Sequence, residues 1–191
     1  MSKISIIGYH GTEINYVNRI LQDGFTSNQR DDHWLGQGFY FYKEFTLAKW
    51  WAEKKFKAQQ EEPAVIKVEI LIDESELLNL DSVDGINTFF RELKKILQPT
   101  EVRVNFKNKE RIMNFCFALD LLKEELGLLV VIRSFLRKSP TYGEQNIGEF
   151  EKKFFNLPHD FAYLEMQICV SKNECIKNKT MCHPIRRTTW S

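Results

Sequence analysis

Tyr9-His10-Gly11-Thr12 and, about thirty residues further on, Trp34-Leu35-Gly36-Gln37-Gly38-Phe39-Tyr40-Phe41 are the two stretches from which the fold is read. The first closes a run from Ser5 to Tyr9 that reads as a short buried strand delivering His10 at its end. Thr12 then stands where a helix N-cap is expected, ahead of Ile14, Val17, Ile20 and Leu21 at helical spacing. Gly24 closes that helix where a left-handed residue is wanted. The second stretch follows a polar, turn-rich segment from Thr26 to Asp32. It predicts a strand from Phe39 to Tyr42 and then a helix from about Thr46 to Gln60, with Ala48 and Ala52 one turn apart. Gly36-Gln37-Gly38 is not a dinucleotide fingerprint, because a strand and not a helix follows it.

Outward from these stretches, Val65 to Ile72 carries the period-2 pattern of a core strand. Asp73 to Asp84 is an acidic connection. Two amphipathic helices follow: one shows Ile86, Phe89, Phe90, Leu93, Ile96 and Leu97 on a face, the other Ile112, Phe115, Cys116, Leu119, Leu122 and Leu126. Pro99 separates them and Gly127 ends the second. Leu128 to Arg133 is too short to assign, and Tyr142 to Phe154 reads as loop passing into a weak helix. Tyr163 to Val170 is the last strand. This alternation predicts a mixed α/β fold: a single domain over 1–191, with a mainly helical insertion at about 85–127 and a short basic C-terminal tail. After Ser171 five Lys and Arg residues stand against Glu174, which reads either as a solvated face or as a basic contact surface.

Composition narrows the function classes. Of the 191 residues 43% are hydrophobic, with 15 Phe and 4 Trp, enough apolar area for a substantial core. Lys and Arg total 27 against 26 Asp and Glu, so the net field selects no polyanion and a nucleic-acid role would need a local patch. Met1 to Gly8 is too short for the apolar core of a secretory signal. The longest apolar run, Leu126 to Ile132, is far below a membrane span. A soluble, cytoplasmic chain is expected. Cys116, Cys169, Cys175 and Cys182 form no Cys-x-x-Cys pair, so they read as reduced thiols with no metal.

The His-Gly-Thr turn followed by Gly-x-Gly-Phe-Tyr-Phe resembles the NAD-binding half of the ADP-ribosyltransferase superfamily. The likeness covers Tyr9 to Ala52 and Tyr163 to Ile176. It implies a split, mainly antiparallel sheet with flanking helices and a helical insertion, NAD as co-substrate, and no metal. In the roles it implies, His10 bonds a ribose hydroxyl. Gly11, Thr12 and Gly38 help hold the dinucleotide, and Tyr40 offers its ring to nicotinamide.

The family places a carboxylate, usually Glu, at the start of a late strand, where the chain reads Glu165-Met166-Gln167-Ile168-Cys169-Val170. Gln167 aligns with that position. Its amide can bond a ribose hydroxyl, yet it carries no charge and cannot act as a base. Period 2 puts Glu165 on the same face as Gln167, so either can complete the site. Arg30, Asp32 and His33 before Trp34, and Arg133, Arg137 and Lys138 after the second helix, are further polar candidates toward NAD or an acceptor.

The resemblance implies mono-ADP-ribosyl transfer to a macromolecular acceptor, RNA, DNA or protein. Small stand-alone domains of this kind resemble bacterial toxins with an antitoxin partner, or anti-phage effectors. The loss of Glu at position 167 keeps two alternatives open: a catalytically silent NAD or ADP-ribose binding module, and an NAD glycohydrolase.

Overall fold

A computed structural model describes residues 2–26, 33–97, 109–138 and 162–184, with side chains described for most of them. In chain order these residues form β1 (Lys3–Glu13), α1 (Ile14–Asp23), β2 (Phe39–Tyr42), α2 (Phe45–Phe56), β3 (Pro63–Asp73), β4 (Leu77–Asn79), α3 (Val83–Leu97), α4 (Lys109–Leu126), β5 (Val130–Lys138), β6 (Ala162–Val170) and β7 (Ile176–Pro184). The strands make one seven-stranded sheet in the order β4-β5-β6-β2-β1-β3-β7. Every pairing is antiparallel except β4 with β5. The mixed α/β expectation therefore holds.

One seam in the sheet is nearly open. β1 pairs with β3 along its whole length, and β2 pairs with β6 along its whole length. β1 and β2, by contrast, meet in register only at Tyr9 and Tyr42. The sheet is thus split into two halves, β4-β5-β6-β2 and β1-β3-β7, hinged at one pair of tyrosines.

Each face has its own core. Phe41, Ile66, Val68, Ile70, Ile132, Ile168 and Val170 pack on one side with Val17 and Ile20 of α1 and with Phe25. On the other side Leu78, Val131 and Cys169 pack with Leu35, Phe89 of α3 and Leu119 and Leu122 of α4. α2 lies on this second face at its β1 end, because a Cβ at Gly11 would sit 2.6 Å from Ala48 O and 3.1 Å from Ala52 Cβ. The small residues at 48 and 52 let that helix lie directly on the strand.

Several boundaries move relative to the sequence reading. β1 does not stop at Tyr9; its register with β3 continues to Glu13 opposite Pro63, which draws Thr12 into the ladder opposite Ala64. Thr12 is buried and is not a cap; Glu13 takes the N-cap position without a side-chain cap bond. Gly24 ends α1 with φ of 92°, as expected. The acidic connection contains β4, and the stretch from Leu128 opens into β5. Part of the basic segment after Ser171 is β7, paired with β3. The expected loop and weak helix at 142–154, and the tail beyond 184, lie outside the described residues.

Candidate active site

The peptide groups at the seam follow from the alternation of an antiparallel ladder, in which successive residues turn their N–H and C=O to opposite neighbours. Lys43 N–H donates to Met166 O, so residues 39, 41 and 43 address β6 while Tyr40 and Tyr42 address β1. Ile14 N–H donates to Glu62 O, so the even residues of β1 address β3 while Tyr9 and Gly11 address β2. Beyond the Tyr9–Tyr42 pair the strands part, and the peptide edge of Gly11 faces that of Tyr40 across the gap.

His10 bridges this gap. Its Nδ1–H donates to Tyr40 O at 2.9 Å, which fixes the tautomer and leaves Nε2 as the accepting nitrogen. The ring lies edge-on to Phe25 and Phe41, with centroids 5.0 and 5.8 Å away. Burial among these rings holds the imidazole pKa below its usual 6.5; the bond to Tyr40 O opposes that and the charge of Lys55 adds to it.

Tyr40 points to the opposite face. Its row across the sheet is Tyr40, Cys169, Val131 and Leu78, whereas His10 packs with Phe41, which pairs with Ile168. The two rings expected to grip one dinucleotide therefore do not converge ring to ring; they are joined through the Tyr40 carbonyl at the seam. The physical reason is the one-residue offset between them on neighbouring antiparallel strands, which reverses side-chain direction.

The phenol of Tyr40 is committed to the loop before it. Its hydroxyl accepts from Leu35 N–H at 2.7 Å and donates to Gly36 O at 2.8 Å. Burial, above all, raises its pKa far beyond any working pH. The loop is held from its other side by α4: Asp120 Oδ1 accepts from Gln37 N–H at 2.7 Å, and Lys123 Nζ donates to Gln37 O at 2.8 Å. Lys123 is buried and also lies 3.4 Å from Asp120 Oδ1 and from Cys169 Sγ. Gly36 has φ of 80°, and a Cβ there would strike Asp120 and Lys123. Gly38 turns its bare side to β6, where a Cβ would lie 2.6 Å from Val170 O, so the close packing of the loop on that strand requires glycine.

Next to the Tyr40 row lies the row Tyr9, Tyr42, Gln167 and Arg133, on the same face and half-buried. Gln167 and Glu165 share that face, as period 2 predicts. Gln167 Nε2 donates to Glu165 Oε1, and Glu165 is only 4% exposed. The Arg133 guanidinium lies between two rings, 5.1 Å from the centroid of Phe115 and 5.4 Å from that of Phe135. His33 lies 5.0 Å from the ring of Tyr40, and Trp34 lies 4.8 Å from Phe135. Arg30 and Asp32, and the side chains of Arg137 and Lys138, lie outside the described residues. Among the described residues no group of three His, Cys, Asp and Glu is placed to hold a metal ion.

The sequence reading missed three participants. Tyr42 stands directly between Tyr9 and Gln167 and presents a second aromatic surface on the site face; its place in a Phe-Tyr-Phe-Tyr run was visible, but not its register. Asp120 and Lys123 lie more than eighty residues from the loop they clamp, and no local pattern announces them.

No protein-family model and no solved structure matches the chain. It is similar to an uncharacterized protein of Methanocaldococcus jannaschii, 26% identical over 198 aligned positions that cover 98% of this chain and 92% of that one.

Proposed function

We propose that the chain is a mono-ADP-ribosyltransferase that transfers ADP-ribose from NAD to a macromolecular acceptor, nucleic acid or protein. The single observation that supports this most is the Gly11 peptide edge facing Tyr40 across the opened β1–β2 seam. A primary carboxamide offers one donor face and one acceptor face in a plane. A strand edge with no side chain in the way offers the complementary pair. Nicotinamide fits that edge, with Tyr40 and Tyr42 as the aromatic surfaces beside it and Gln167 across the floor.

In the reaction the bond between nicotinamide N1 and ribose C1′ breaks, nicotinamide leaves with the electron pair, and positive charge develops on the ribose. The acceptor heteroatom then bonds C1′ and loses its proton to solvent. The seam orients the leaving ring and the amide of Gln167 holds the sugar as charge appears, while His10, on the other face, holds the seam in place through its bond to Tyr40 O. The resemblance supports a cytoplasmic toxin or anti-phage effector with an antitoxin partner. Among the described residues no helix is long and apolar enough to cross a membrane.

The test uses NAD labelled in its adenylate half, incubated with the protein and cell extract. Label in the RNA, DNA or protein fraction together with free nicotinamide supports transfer. Nicotinamide without label supports the glycohydrolase reading. NAD binding without nicotinamide supports the silent module, the reading that the uncharged Gln167 favours.

A further inference from the structure

We infer that Glu165 is a positioning residue: it fixes the direction of the Gln167 amide, so that the carbonyl oxygen, and not the amino group, is the end presented to a ligand. The inference rests on the proposed site but concerns one bond within it. A carboxylate oxygen only accepts, so the group of Gln167 that meets Glu165 Oε1 is the amino end, Nε2. Oε1 of Gln167 is then directed away from Glu165. Both side chains stand on the face that carries Tyr40 and Tyr42, and Gln167 is opposite Tyr42 in the register.

Burial strengthens the arrangement. Glu165 is almost wholly enclosed, opposite Phe135, while Gln167 keeps an exposed part, so the charged group lies behind and the neutral one in front. A carboxylate bonded to the amino end of an amide polarises that amide and enriches its oxygen. That oxygen is thereby better suited to accept from a sugar hydroxyl whose ring is becoming positive. The pair thus replaces the single carboxylate of the resembled family by a carboxylate acting through an amide.

The experiment follows the Gln167 side-chain NH2 signals in the 15N spectrum, assigned by their loss in Gln167→Glu, and compares wild type with Glu165→Gln and Glu165→Ala. The isosteric Glu165→Gln keeps the shape of the site, and the rest of its spectrum reports whether the fold is kept. The expected result is displacement of the Gln167 signals in both variants and, with NAD, a kcat for nicotinamide release lowered about tenfold in Glu165→Gln at nearly unchanged KM. Unmoved Gln167 signals overturn the inference whatever the activity, and so do moved signals with kcat retained. If wild type neither binds NAD nor releases nicotinamide while the Gln167 signals still move, the orienting bond stands and it is the transferase reading that falls.

Discussion

His10 Nδ1 and the backbone oxygen of Tyr40 lie 2.9 Å apart across the one seam where the sheet has come open. The bond substitutes a side chain for the ladder bonds that β1 and β2 do not make there. His10→Ala leaves that carbonyl without its donor and is expected to cost about 1–3 kcal/mol at neutral pH, read from denaturant midpoints.

The same residue gives stability a pH dependence of known sign. Burial disfavours the imidazolium in the folded chain, so the unfolded chain takes up the proton first as pH falls. The contribution is fully present above about pH 6.5 and is lost as pH falls through the lower folded value. Thermal midpoints of wild type and His10→Ala measured from pH 8 to pH 5 are expected to converge as pH drops. A gap that stays constant would show that His10 is not neutral in the fold.

Tyr40 separates ring from hydroxyl. Tyr40→Phe leaves Leu35 N–H and Gly36 O without their shared partner and is expected to destabilise by about 1–3 kcal/mol, while the aromatic surface stays. Nicotinamide release by that variant, assayed at a temperature where it is folded, is expected within about threefold of wild type, against a loss of tenfold or more in Tyr40→Ala. Equal losses in the two variants would assign the function to the loop and not to the ring.

Long periodic elements were legible because their patterns are local. The helix closing at Gly24, the Phe39–Tyr42 strand, β3, α3, α4 and β6 all follow from spacing. β4 escaped because three residues carry no period, and β5 because Leu128 to Arg133 gives too few positions to separate strand from helix. Thr12 misled because a good cap residue loses to a ladder that continues past it. At the site, the shared face of Glu165 and Gln167 was readable from period 2 alone. The divergence of His10 from Tyr40 was not, since it depends on the register between two strands thirty residues apart. Nor was the role of α4 in gripping the Gly36-Gln37-Gly38 loop, since Asp120 and Lys123 lie more than eighty residues from it.

That grip makes a stability prediction. Lys123 is buried, and its ammonium serves Gln37 O and Asp120 together. Lys123→Met keeps the apolar stem but leaves Gln37 O without this donor and Asp120 without its cation, for an expected loss of about 2 kcal/mol. Gly36→Ala adds left-handed strain and a clash with Asp120, and is expected to cost at least as much. Asp120→Ala relieves the clash with Asp120 but neither the approach to Lys123 nor the backbone strain, so the double variant Gly36→Ala with Asp120→Ala is expected to recover only part of the loss in urea melts.

Gln167→Glu restores the carboxylate that the resembled family carries, but it does so beside Glu165, whose Oε1 now meets the Gln167 amide. Two carboxylates at that distance cannot both be ionised without repulsion, and a shared proton is the cheapest relief. The variant is therefore expected to be less stable than wild type at pH 8, by about 1–2 kcal/mol, with the deficit shrinking as pH falls toward the carboxylate range near 4. Pairing the substitution with Glu165→Gln exchanges the two groups and removes the repulsion, so the double variant is expected to regain wild-type stability at every pH. If Gln167→Glu alone shows no pH-dependent deficit, the two side chains are not in contact and the orienting role given to Glu165 fails with it.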